Sequence, residues 1–125
     1  MERAAVTAEK GAPPGGPYSP AIRHDNYLFV SGQLGIDPAT GAKKSGDFAA
    51  EVHQVLSNLR TLVDAGGATM ASVVKVTVFL TDLADFASMN DIYLTYFPEP
   101  RPARSTVQVG LMKDFRIEID AIAAI

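Results

Sequence analysis

An α+β fold, a mixed β-sheet with two helices packed on one face, is predicted from three observations. Two segments repeat apolar residues at helical spacing, others alternate with period two, and the elements run strand hairpin, helix, strand, helix, strand hairpin. With 125 residues, 47% of them hydrophobic, the chain holds material for one packed core. A single domain over 1–125 is expected, without linker, repeat or low-complexity tract.

The elements follow in order. AAVTA can form a short strand, and the Pro/Gly cluster GAPPGGPYSP after it reads as a loop. YSPAIRHDNYLFVSGQ is expected to fold as a hairpin that turns at His24, Asp25 and Asn26 and ends in Ser31 and Gly32. DPATG makes the next turn. From Phe48 to Val63 the apolar residues fall on one helical face, with Asp47 as N-cap and Gly66 and Gly67 as the stop. SVVKVTVFL alternates, placing Val74, Val76, Val78 and Leu80 on one side and Lys75, Thr77 and Phe79 on the other. A second helix is predicted from about Leu83 to Phe97, capped by Asp82 and stopped by Pro98, with Phe86, Asn90, Tyr93 and Phe97 as its buried stripe. Two strands, RSTVQV and FRIEIDAIA, close the chain as a hairpin turning at GLMKD.

Charge and composition narrow the function. A formal charge of −3 and a pI near 5.2 argue against the broad basic face that nucleic acid requires. The absence of cysteine removes thiolate catalysis, thiolate metal sites and disulfides. No apolar run is long enough to span a bilayer, and MERAAVTAEKGAPPGG lacks the apolar centre of a secretory signal, so a cytoplasmic protein is expected. His24 falls in a turn and His53 on the polar side of the first helix, with no third ligand at metal spacing and no partner for a triad. GAPPGGP lacks the context of a phosphate loop. Chemistry is left to arginine, carboxylate, tyrosine, hydroxyl and backbone groups.

Alternation sorts those groups. In the last strand Phe115, Ile117, Ile119 and Ala121 share a face, leaving Arg116, Glu118, Asp120 and Ile122 on the other. If Val107 and Val109 enter the core, Arg104, Thr106 and Gln108 face away from it. A hairpin would then set Arg104 and Glu118 on the same helix-free side. Pro100 and Pro102 stiffen the approach to Arg104, which suits an anion clamp. Burial of this mixed face against another subunit accounts for it equally well, with Arg104 and Glu118 as an interface salt bridge. Asn90, among aromatic stripe neighbours, calls for a buried partner, and Tyr18 by itself reads as ordinary packing.

GPYSPAI, LFVSGQLGIDPATG, VVKVTVFLTDLADFASMNDIY, RPARSTVQV and RIEIDAIA together resemble, in order and spacing, the Rid (reactive intermediate deaminase, YjgF) family, and most closely its RidA subgroup. The resemblance runs from about Gly16 to the end. It implies a chorismate-mutase-like fold, a homotrimer with clefts between subunits, and hydrolysis of 2-imino acids such as 2-iminopropanoate and 2-iminobutanoate to 2-oxo acids and ammonia, with no cofactor and no metal. On the matching positions it implies Arg104 as the carboxylate-binding arginine and Glu118 as the water-positioning acid. Tyr18, Ser31, the Gly32 backbone, Asn90 and Thr106 match the pocket. Thr106 stands where well-known bacterial members have cysteine, and Met112 where proline is common.

An imine is already electrophilic, so orientation, a placed water and proton transfers suffice for its hydrolysis. Arg104 would hold the substrate carboxylate bidentately, and Glu118 would act as base or as hydrogen-bond acceptor, the latter favoured if Arg104 lies close enough to lower its pKa. The rivals are a non-enzymatic module binding 2-oxo acids for a regulatory partner, and a ribonuclease or translation inhibitor, which the acidic pI disfavours.

Overall fold

Residues 2–125 are described by a computed structural model. Strands β1 (Ala4–Val6), β2 (Ala21–His24) and β3 (Tyr27–Gln33) precede helix α1 (Phe48–Ala65). Strand β4 (Val73–Leu80), helix α2 (Phe86–Tyr93), β5 (Ala103–Gln108) and β6 (Ile117–Ala124) follow. Within residues 2–125 the six strands form one sheet in the order β1-β2-β3-β6-β4-β5. Every neighbouring pair is antiparallel except β4 and β5. Helix α1 lies across β3 and β6 and packs on α2, burying Val52, Leu56, Leu59 and Leu62 against Leu28, Val76, Ile117 and Ile119. Each such side chain contributes about 1.5–3 kcal/mol when fully buried.

The first half matches the expected elements. β2 and β3 pair around Asp25 and Asn26, with Asp25 at φ 55, a left-handed conformation that Asp tolerates in a tight hairpin turn. The Asp47 carboxylate accepts from Ala50 N at 3.0 Å at the start of α1. The helix ends at Gly66, followed by Gly67 at φ 87, where a side chain would be strained.

The closing hairpin does not form. β6 inserts between β3 and β4, and β5 takes the sheet edge beside β4, in parallel with it. The physical reason is twofold. Ile117, Ile119, Ala121 and Ala123 make one face of β6 wholly apolar and fit it for the centre of the sheet. The helix between β4 and β5 supplies the crossover that parallel pairing needs.

Two smaller corrections concern registration. A register shift between Val73 and Lys75 buries Val73 and leaves Val74 44% exposed, in place of the expected Val74. The second helical segment is broken. A single 3₁₀ turn, Leu83–Asp85, is capped by the Asp82 side chain before α2 begins, and turns from Leu94 to Tyr96 follow it. Its buried residues are Met89, Tyr93 and Phe97, while Phe86 is 42% exposed. So short a helix buries only the side facing α1.

A buried carboxylate anchors the start of β6. Glu51, in the first turn of α1, accepts from the Arg116 backbone N at 2.7 Å and from Arg116 Nε at 2.9 Å, with Lys43 Nζ 3.6 Å away. A Cβ on Gly35 would stand 2.8 Å from Glu51 Cγ, so glycine makes the room. Charge-assisted bonds of this kind hold a chain segment firmly, and Glu118 lies two residues beyond it.

Candidate active site

On the helix-free face, Glu118 projects from β6 toward β3 at the point where the β3 register shifts between Val30 and Gln33. Its carboxyl group occupies the space a side chain at Gly32 would need. A Cβ there would stand 2.8 Å from Glu118 Cδ and overlap the nearer oxygen. Ser31 Oγ donates to Ser19 O at 2.7 Å and Ser31 N to Pro20 O at 2.9 Å, tying the loop that carries Tyr18 to β3. Tyr18 Oη accepts from Gly15 N at 3.1 Å. Tyr18 and Gly32 line a cleft of ≈ 550 Å³ whose other walls include Lys43, Met112 and Phe115. Burial pushes the Glu118 carboxyl above its ordinary pKa, and the negative charge of Asp120 adds to the rise.

A second group assembles at the β5 edge. Arg104 Cζ lies 4.7 Å from the Tyr93 ring centroid and 5.5 Å from that of Phe86, both on α2. Asn90 sits between those aromatics in the helical repeat. Thr106, two residues after Arg104, shares its side of β5, and Gln108 on the same side accepts from Leu83 N at 3.1 Å. Burial raises the Tyr93 phenol pKa against the opposing charge of Arg104. The guanidinium sits against the ring, and its N–H donors reach toward Oη closely enough to oppose that rise without closing a hydrogen bond of good geometry. Among the described residues, Tyr93 Oη and Asn90 Oδ1 are buried without a hydrogen-bond partner.

The two groups lie on opposite faces of the sheet. Arg104 is in register with Val76, which is buried beneath the helices. Glu118 is in register with Phe79, on the other side of β4. The expectation that Arg104 and Glu118 share the helix-free face is therefore corrected. It assumed a β5–β6 hairpin and a buried Val107, but Val107 is 40% exposed and Ser105, its facemate, is bonded by Lys75 Nζ at 3.2 Å on the helix-free side. Among the described residues neither Arg104 nor Glu118 forms an ion pair within the chain.

The seven expected residues thus gather as Tyr18, Ser31, Gly32 and Glu118 on one side and Asn90, Arg104 and Thr106 on the other. Sequence reasoning missed Tyr93 as a neighbour of Arg104, although the helical repeat had already put it on the Asn90 stripe. Among the described residues no three His, Asp or Glu side chains converge as a metal site, and no helix is long and apolar enough to cross a membrane.

Residues 9–125 match the family described as Endoribonuclease L-PSP. The chain belongs to this family. L-PSP relatives span nearly its full length. A RutC family protein of Pyrococcus abyssi is 46% identical over 124 residues, covering 98% of each chain. A Bos taurus protein named 2-iminobutanoate/2-iminopropanoate deaminase is 43% identical, over 98% of this chain and 90% of its own. The crystal structure of RidA from the Antarctic bacterium Psychrobacter sp. matches at a TM-score of 0.93 with 39% identity, covering 98% and 99%. The mixed sheet and two helices are the L-PSP fold, and the resemblance to Rid proteins read from the sequence holds.

Proposed function

We propose that the chain hydrolyses 2-imino acids to 2-oxo acids and ammonia in a cleft that two copies of it complete. The observation that carries this reading is the split of the site. A cationic clamp beside unpartnered polar atoms lies on one face of the sheet, and a carboxyl group of raised pKa beside Gly32 lies on the other. Neither half has the groups for hydrolysis alone. The deaminase name of the bovine relative supports the same chemistry.

Assembly follows from this geometry. Because the halves lie on opposite faces, two chains cannot each present both halves to the other, so a twofold dimer leaves sites open. A head-to-tail contact that closes has to be a ring, and a trimer is the smallest. The helix-free face carries Tyr27 and Phe29, both exposed, with ring centroids 6.5 Å apart, which favours its burial against a neighbouring chain.

In the mechanism, Arg104 of one subunit holds the substrate carboxylate through two parallel N–H donors. A water held by Glu118 of the next subunit adds to the imine carbon while the carboxylate takes its proton. That proton passes to nitrogen, giving a carbinolamine; the carboxylate then carries the hydroxyl proton of this intermediate to its amino nitrogen, the C–N bond breaks and ammonia leaves, giving the 2-oxo acid. A raised pKa makes Glu118 a better base once it is ionised, and a positioned base contributes roughly 10²–10⁴ in rate.

Coupling the chain to a serine or threonine dehydratase tests this. Pyruvate or 2-oxobutanoate should appear faster at an unchanged final yield, because uncatalysed hydrolysis reaches the same products. No acceleration with either dehydratase would leave a 2-oxo acid-binding module as the better reading. The endoribonuclease description of the family favours a second reading. RNA cleavage that survives Arg104→Ala while imine hydrolysis is lost would establish it as a separate activity.

A further inference from the structure

Two polar atoms beside Arg104 lack a hydrogen bond of good geometry, the guanidinium standing near enough to Tyr93 Oη to oppose the rise in its pKa but not to satisfy its O–H. Tyr93 is 5% exposed, and among the described residues its Oη and Asn90 Oδ1 lack hydrogen-bond partners. The two residues are three apart on α2 and so share a face. That face meets the Arg104 guanidinium, whose Cζ lies 4.7 Å from the Tyr93 ring centroid. A ring in this position attracts the cation and sets the direction of its fork. Phenylalanine would serve for that alone, as Phe97 does for the stacking contact 4.5 Å from Tyr93. The hydroxyl is instead retained at a buried place where the free chain gives it no partner, although buried polar groups are nearly always satisfied.

Resting on the proposed role of Arg104, we propose that Tyr93 is a further substrate-binding residue. Its O–H donates to the carboxylate held by Arg104, while Asn90 Oδ1 accepts from the neighbouring imine N–H. A 2-imino acid is the ligand class this arrangement fits: an anion that takes hydrogen bonds from two different donors, adjacent to a nitrogen that gives one. The 2-oxo product keeps the anion and loses the N–H, so it satisfies Arg104 and Tyr93 but not Asn90. Tyr93 therefore acts on both substrate and product, and Asn90 discriminates between them.

Tyr93→Phe keeps the ring against Arg104 and removes only the hydroxyl. Calorimetric titration with 2-oxobutanoate should give a Kd about tenfold weaker, the loss of one hydrogen bond to a charged group. KM for the imine should rise by about the same factor with kcat within about twofold. Without ligand, the variant should melt at or above the parent's Tm, because a buried unbonded group has been removed. An unchanged Kd would overturn the assignment. So would a lower Tm in the absence of ligand, which would give the hydroxyl to the fold or to a subunit contact. A parent chain that binds 2-oxobutanoate with the expected Tyr93 dependence but does not accelerate imine hydrolysis would support Tyr93 and remove the deaminase reading. A parent that accelerates imine hydrolysis yet binds no 2-oxobutanoate would overturn the Tyr93 assignment and leave the deaminase reading standing.

Discussion

Arg104 and Glu118 sit on opposite faces of one sheet, on strands β5 and β6 that are separated by β4. A chain with this geometry cannot bring its own Arg104 to its own Glu118. The proposed site therefore belongs to an assembly, and that can be measured directly.

Arg104→Ala and Glu118→Gln should each be inactive alone. Dissociated, mixed in equal amounts and reassembled, they should recover about a quarter of the parent's sites, because random neighbours in a head-to-tail ring pair an intact Arg104 with an intact Glu118 at one contact in four. Sedimentation should report a trimer for parent and mixture. No recovery in a mixture shown to exchange subunits would place both residues in one chain's site.

Arg104→Lys should fold and assemble as the parent does yet lose about 100-fold in kcat/KM, since a point charge cannot reproduce two parallel donors to a carboxylate or stack as a plane on Tyr93. Near-parent kinetics would remove the bidentate clamp.

Gly32→Ala should displace the Glu118 carboxyl group, which occupies the place of the new Cβ. The side chain can swing aside, so the melting temperature should change little. A base displaced by about 1 Å costs about 100-fold in rate, so kcat should fall by that order. Parent-like turnover would show that Glu118 does not act from the position seen here.

The raised Glu118 pKa carries a sign that pH can test. Its native form holds a proton more tightly than the unfolded chain does. The stabilisation is therefore complete below the ordinary carboxyl value of 4.5 and is lost as pH rises through the raised native value. The acid limb of kcat/KM should lie above that ordinary value and disappear in Glu118→Gln, as shown by rate profiles corrected for ionisation of the imine itself. A limb below it would mean that a neighbour's Arg104 outweighs burial.

Glu51→Ala should destabilise the fold by about 3 kcal/mol, near the lower end for breaking a buried pair because Arg116 and Lys43 can turn to water. Urea denaturation at fixed protein concentration measures it. A loss below about 0.5 kcal/mol would leave the start of β6 without its anchor.

Local signals determined much of this protein in the sequence alone. Asp25 and Asn26 mark the hairpin, Asp47 and Gly66 bound α1, and the alternation of Ile117, Ile119, Ala121 and Ala123 identifies an apolar strand face. These patterns depend on neighbours within a few positions, so they survive without knowledge of the partner strand. The residues of the proposed site came from the resemblance to Rid proteins, carried in order by the segments GPYSP, RPARST and RIEID. The face on which Arg104 lies was not legible. It depends on which strand β5 pairs with, a long-range choice made by the burial of β6 at the centre of the sheet and by the crossover through α2. The Val73 register shift and the pairing of Glu118 with Gly32 across β6 and β3 are likewise contacts between distant segments. A one-residue slip in register reverses the face of every side chain, so only the tertiary structure could decide that Arg104 and Glu118 look away from each other.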